Sequence, residues 1–203
     1  MSRRLNRQLA TDRPRRGSPA QTRQRLVAAA ARLFNRSGYH RTDSNGIAQE
    51  AGYSTGTFYK HFRDKREIFL AAYETWVASE WKAVGVELTA GGQPEAIARR
   101  LVDLTILFHT RWRGLRASLL ELVLTDADVR RFYRYQRRRQ LDLMTALRVS
   151  IGARPRRRED DAIHLFTIER TCDAIAQGEL RALGLDRGAI VAGLVERVIG
   201  ALV

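Results

Sequence analysis

Residues 51–62 read AGYSTGTFYKHF, with two glycines around a run of small hydroxyl side chains, then an aromatic and basic run. A core helix has no need of so many small polar side chains. An enzyme loop would carry an acid or a nucleophile with its partner. On the N-terminal side, Ile47, Ala48 and Ala51 recur as the inward face of a short helix. Thr42, Asp43 or Ser44 can each cap it, and Gly52 ends it in a left-handed turn. Ser54 then caps a second short helix with Phe58 inward. Two short helices about a glycine turn meet the demands of a helix-turn-helix. Ala48 is small where the two cross, and Ile47, Ala51, Tyr53 and Phe58 pack the pair onto the preceding helix. The second helix is left with an outer face of Thr55, Gly56, Thr57, Tyr59, Lys60 and His61. Such a face suits the major groove of DNA. Small residues let the backbone approach, threonine methyls meet thymine methyls, and hydroxyls donate or accept. Tyr59 and Lys60 are suited to the phosphates, which position a protein without specifying sequence.

The charge agrees with a polyanionic partner. The chain has 203 residues, with 36 Lys and Arg against 22 Asp and Glu, a formal net charge of +14. Residues 1–70 hold 15 basic and 5 acidic residues, a net of +10, and the remainder holds 21 and 17, a net of +4. An excess concentrated at the front points to nucleic acid or an anionic surface. No apolar run approaches the roughly 18 residues of a membrane span, and the basic N-terminus is followed by no apolar signal segment. A cytoplasmic protein without a membrane partner is expected. One cysteine, Cys172, excludes an internal disulfide framework. No His, Cys, Asp and Glu grouping has metal-ligand spacing, so neither a metal site nor a cofactor is expected.

Along the chain, residues 1–19 lack periodicity and read as a flexible basic arm. Helical spacing begins at Thr22, with Leu26, Val27, Ala30, Leu33 and Phe34 on one side and Gly38 as the stop. After the helix-turn-helix, Asp64 caps a helix bearing Ile68, Phe69, Ala72, Tyr73, Trp76 and Val77. Pro94 starts the next helix, with Ile97, Leu101, Leu104 and Phe108 as its stripe. A more apolar helix follows around 115–124. A long basic one covers 126–149, with Phe132, Leu141, Met144 and Leu147 as core candidates. Two final helices, 159–183 and 186–203, flank Gly184. No strand alternation or internal repeat is present. The expected fold is all-α, with about nine helices: an arm over 1–19, a helix-turn-helix domain over 20–66, and a larger helical domain over 67–203.

Residues 22–69 resemble the DNA-binding domain of the TetR family of transcriptional regulators. The resemblance is carried by TRQRLVAAAARLFNRSGYHRT and by IAQEAGYSTGTFYKHFRDKREIF. Within the second stretch the order Ile47-Ala48, Ala51-Gly52, Ser54, Gly56, Tyr59, His61-Phe62 and Lys65 is intact. It covers about a quarter of the chain. Departures are Asp43 where a second Thr or Ser is common, Gly46 inside the first helix of the pair, and Tyr53 for a small aliphatic residue. The resemblance implies a homodimer formed through the last two long helices. It implies a small-molecule pocket among the middle helices, and release of an operator when that pocket fills. Carried over by position, Thr42, Ser44, Ser54, Thr55, Thr57, Tyr59, Lys60, His61 and Lys65 are the expected DNA contacts.

Trp76, Phe108, His109, Trp112, Phe132 and Phe166 are candidates to line the pocket, although aromatics at helical spacing also make plain core. His109 and His164 are candidates to orient a polar ligand. Cys172 reads as a buried inert thiol, and 137–139 and 156–158 as solvated arginine faces. No nucleophile paired with a base, and no phosphate loop, argues for an enzyme or a catalytic residue. The expected function is a repressor that binds a double-stranded pseudo-palindromic operator as a homodimer and is released by a small-molecule effector. The alternative is a sequence-independent binder of nucleic acid or anionic surfaces, driven by the arm.

Overall fold

A computed structural model describes residues 18–202 of the chain, so the expected arm lies almost wholly outside the described residues. Ten α-helices and no strands are present among them. They are α1 (Pro19–Ser37), α2 (Ser44–Glu50), α3 (Thr55–His61), α4 (Lys65–Thr89), α5 (Pro94–Arg111), α6 (Arg113–Thr125), α7 (Ala127–Ser150), α8 (Arg158–Gln177), α9 (Glu179–Ala182) and α10 (Arg187–Leu202).

Two boundaries differ from the expectation. The first helix starts at Pro19, not Thr22. Ser18 accepts from Gln21 N–H while the Gln21 side chain accepts from Ser18 N–H, a reciprocal capping box ahead of a proline at the first helical position. Residues 18–19 thus belong to the helix, not to the arm. The helix expected over 159–183 breaks at Gly178, whose φ of 78° is left-handed. The short α9 that follows raises the helix count to ten.

Two apolar cores hold the helices. The first joins α1 to α2, α3, the front of α4 and α6, with Leu26, Phe34, Ile47, Phe58, Ile68, Phe69, Leu115 and Leu119 sealed from solvent. Burial of each large side chain contributes about 2–3 kcal/mol. Phe69 meets Phe34 edge-on at 5.0 Å and Tyr39 at 5.1 Å, fixing α4 against α1. This core crosses the expected boundary at residue 66, because α4 runs unbroken through it. The second core joins α5, α8 and α10 through Val102, Ile106, Ile168, Cys172, Val191 and Leu194.

Polar contacts add to the apolar join between the front and rear helices. At the end of α1, Asn35 donates to Arg111 O at 2.8 Å and accepts from Gly114 N–H at 3.0 Å and Leu115 N–H at 3.2 Å. Tyr39 N–H donates to Ser118 Oγ at 3.1 Å. Arg66 on α4 bridges Asp126 and Asp128 at the start of α7, both at 3.1 Å.

Candidate nucleic-acid interface and buried cavity

Asp43 caps α2 by accepting from Gly46 N–H at 2.7 Å. Its acidity therefore serves the helix end, and Gly46 lies beside the carboxylate that holds it. The turn after α2 is a Schellman closure. Tyr53 N–H donates to Ala48 O at 2.8 Å and Gly52 N–H to Gln49 O at 3.0 Å, with Gly52 at φ 79°. Ser54 then accepts from Thr57 N–H at 3.3 Å and opens α3. Phe58 is fully buried, which fixes the rotation of α3 and turns its other side outward. Arg32 and Arg36 of α1 reach Glu50, and Arg25 donates to the Tyr53 hydroxyl, so the pair is bound to its scaffold at its rim as well.

The expected DNA contacts separate into groups. Tyr59 is 57% exposed, and Ser54 and Lys60 are exposed beside it. Ser44, Thr55, Thr57 and His61 are half-buried on the same two helices. Ser54 and Thr57 hydroxyls share a hydrogen bond of 3.1 Å. Thr55 donates to Asn45 Oδ1 at 2.8 Å, across the two helices. Asn45 was not among the expected contacts, although its exposed amide is held in the same face. Thr42 and Lys65 stand apart. Thr42 is 4% exposed and donates to Gly38 O at 2.8 Å. Lys65 Nζ donates to Tyr39 O at 3.0 Å and lies 4.2 Å from the centroid of the Tyr39 ring. Burial holds its ammonium below the ordinary lysine value, against the pull of Asp43. Both side chains are committed to the turn after α1 and position the pair instead of facing outward.

Behind this domain a cavity of about 150 Å³ lies among α4, α5, α7, α8 and α10. Trp81, Val84, Leu88, Leu101, Met144, Leu147 and Ile168 give it an apolar wall, with Glu80, Arg148, His164 and Glu169 as its ionisable groups. The expected aromatic lining lies elsewhere. Trp76 is buried edge-on to Tyr73, and Phe108, Trp112 and Phe132 pack around the first core. His109 is sealed, with Nδ1 at 2.8 Å from Asp173, and Phe166 is 52% exposed on the outside of α8. Periodicity placed these residues on apolar faces but did not say which faces close on each other.

A network of buried charge borders the cavity. Arg116 of α6 donates to Asp173 at 2.6 Å and to Glu169 at 3.2 Å. Arg137 of α7 meets Glu169 at 2.5 Å and lies over the Tyr133 ring. Arg137 thus turns inward, unlike the solvated face expected of 137–139, because its position in α7 points at α8. Burial opposes ionisation of Glu169, but Arg116 and Arg137 outweigh it and hold the carboxyl below its ordinary range. Burial likewise opposes ionisation of Asp173, and the hydrogen bonds from His109 and Arg116 reverse it. Since Asp173 is a carboxylate, His109 Nδ1 is the donor in their bond. Arg148 of α7 donates to Ala201 O at 2.7 Å and pairs with Asp161. His164 is pushed down to about 4, by burial and then by Arg156 and Arg148. Burial pushes the Cys172 thiol up to about 12, in line with an inert thiol.

Glu80 is the exception. Burial, and then the charge of Glu169, push its carboxyl up to about 8. The folded protein therefore binds a proton that the unfolded chain releases near 4.5, so stability falls as pH rises from about 4.5 to about 8. Glu80→Gln removes that loss. It is expected to raise the melting temperature at pH 8, by an amount corresponding to about 4 kcal/mol at most, with little change at pH 5. An equal shift at both pH values would refute the assignment.

A helix-turn-helix packed on α1, backed by a larger all-helical domain with a cavity among its helices, defines the class. Residues 26–72, about a quarter of the chain, match the family model described as bacterial regulatory proteins, tetR family, so the front of the chain carries that family's domain. Among curated relatives, the HTH-type transcriptional regulator AcrR of Shigella flexneri is 32% identical over 107 residues, 51% of this chain and 48% of AcrR. The match thus spans about half the length of that relative. Solved structures extend the likeness of fold to nearly the whole chain. The fatty acid degradation regulator FadR from Bacillus halodurans has a TM-score of 0.68 at 17% identity, over 93% of this chain and 98% of FadR. FadR from Bacillus subtilis, solved in complex with stearoyl-CoA, has a TM-score of 0.64 at 15% identity, over 88% and 98%.

Proposed function

We propose that the chain is a DNA-binding transcriptional regulator, a repressor that holds a pseudo-palindromic operator as a homodimer and leaves it when a small molecule fills the cavity. The observation that carries the reading is the outer face of α3. Ser54, Thr55 and Thr57 stand at its start with Asn45 beside them, and Tyr59 and Lys60 flank them, exposed, in the basic part of the chain. Two copies of this face, set about 34–36 Å apart, would enter successive major grooves.

The dimer would form through α8 and α10. Ile163 and Phe166 are 59% and 52% exposed on the outer side of α8, where a second copy would cover them. The cavity supports a small-molecule effector, and the stearoyl-CoA complex of a protein with this fold supports it further. A ligand that prefers a conformer with the wrong spacing between the two α3 helices would shift the population off the operator. No described helix is long and apolar enough to cross a membrane, which agrees with a cytoplasmic regulator.

Selection from a random duplex library at near-physiological salt tests the reading. An inverted repeat is expected, bound about a thousandfold or more tighter than random duplex. Firm binding without a motif would instead favour the sequence-independent reading, driven by charge alone. On the selected operator, Tyr59→Ala and Lys60→Ala are expected to weaken all duplexes alike. Thr55→Ala and Asn45→Ala are expected to relax base preference, by about 1–3 kcal/mol for a lost base contact. Normal binding by both Tyr59→Ala and Lys60→Ala would mean that this face is not the one that meets DNA.

A further inference from the structure

We propose that the cavity takes an organic cation with an apolar body, and that the Glu80 carboxylate is its counter-ion. This rests on the effector-site reading above and names the chemistry of that site.

Glu80 is 9% exposed, lines the cavity, and accepts no hydrogen bond from any described residue. Its nearest basic atom is His109 Nε2 of α5 at 3.9 Å, beyond hydrogen-bond reach. The neighbouring charges are already matched. Glu169 and Asp173 of α8 are neutralised by Arg116 of α6 and Arg137 of α7. Arg148 of α7, farther along the cavity lining, is paired with Asp161. His164 of α8 is uncharged at neutral pH. On its own helix Tyr73 is buried and protonated, as is the Cys172 thiol of α8. α10 brings only Val198, Ala201 and Leu202 to the lining.

The Glu80 carboxyl borders the cavity with no protein donor, and a cation in the cavity would be its partner. Trp81, the next residue on α4, also lines the cavity and offers an indole face that attracts cations. Val84, Leu101, Leu147 and Ile168 would surround the apolar body. Because burial and Glu169 keep the empty carboxyl protonated at neutral pH, entry of the cation must expel that proton. The carboxylic acid and the ammonium become a carboxylate–ammonium pair plus one free proton.

Calorimetry on the full chain with three probes of equal chain length separates the possibilities: decyltrimethylammonium, 1-decanol and decanoate, each below its micelle-forming concentration. The cation is expected to bind at least about tenfold tighter than the other two at pH 7.5. At pH 7 its binding is expected to release close to one proton, read from the dependence of the heat on buffer ionisation. Its affinity is expected to climb about tenfold per unit below pH 7 and to level off above pH 8. Glu80→Gln keeps the shape of the protonated acid, so it is expected to retain 1-decanol while losing both the cation preference and the proton release. Equal or tighter binding of decanoate or 1-decanol, unchanged cation binding in Glu80→Gln, or no cation binding would each overturn the inference. Should decanoate or 1-decanol bind and release the operator, the effector-site reading would stand without the cation. Should the cation bind through Glu80 without changing operator affinity, this inference would stand and the switch would fall.

Discussion

Arg116→Met is expected to destabilise the folded protein by about 3–5 kcal/mol, the range for breaking a buried ion pair from one side. Methionine nearly matches the arginine stem in volume, so packing changes little. What changes is charge. Arg116 is 5% exposed and serves two carboxylates, Asp173 at 2.6 Å and Glu169 at 3.2 Å. Glu169 keeps Arg137, whereas Asp173 keeps only His109 among the described residues. Urea unfolding measures the loss, and pH identifies its origin. Without Arg116 the two acids ionise at higher pH when folded than in the wild type. The penalty is then full at neutral pH and shrinks as pH falls through their raised values. Adding Asp173→Asn should recover a large part of it. A loss below about 1 kcal/mol, or one independent of pH, would show that water reaches these groups and that the network is not a buried one.

Gly114→Ala comes second, and here two effects of opposite sign compete. In an ordinary helix interior the change is worth about 1 kcal/mol in favour of alanine. At this position a Cβ would stand 2.0 Å from Asn35 O and 2.9 Å from Asn35 C, both backbone atoms. No rotamer can relieve that contact, so α1 and α6 must move apart. The Asn35 bonds to Gly114 N–H and Leu115 N–H go with them. Overpacking and lost hydrogen bonds together are expected to exceed the propensity gain, for a net loss of about 3 kcal/mol. The melting temperature should fall by roughly 6–12 °C in a chain of this size. Asn35→Ala should not rescue the variant, since the clash is with backbone. A Gly114→Ala protein as stable as the wild type would refute the close crossing of α1 and α6.

Local chemistry was legible in the sequence wherever one residue answers one backbone need. Gly52, Ser54 and Asp64 close or open helices because their backbone or side chain does what the helix end lacks. Phe34, Phe58 and Phe69 were legible from spacing, since a helix that buries one face repeats it. Gly178 was missed because the apolar pattern of α8 continues past it, and only the left-handed φ reveals the break. The inner side of α7 was missed for another reason. Its buried residues are Val129, Gln136, Gln140 and Arg148, while Met144 and Leu147 are only half-buried because they border the cavity. A search for apolar stripes passes over a polar core. The spacing of 136, 140 and 148 was nonetheless helical, and buried glutamines at that period were the available signal. The charged network was illegible, since its members come from five helices and pair only after the helices pack. For the same reason the aromatic candidates for the cavity fell on core faces, while Glu80 and Trp81 went unnoticed.

Trp81 and Leu147 border a second hollow as well, of about 240 Å³, whose lining also includes Gln136, Gln140 and Lys82. One indole and one isobutyl group are therefore common to the linings of both hollows. An occupant of the first hollow would meet Glu80 beside its apolar wall, and one long enough to push the indole aside would gain amide and ammonium partners as well. Trimming residue 81 is therefore expected to join the two hollows and to widen the range of molecules that the proposed effector site admits.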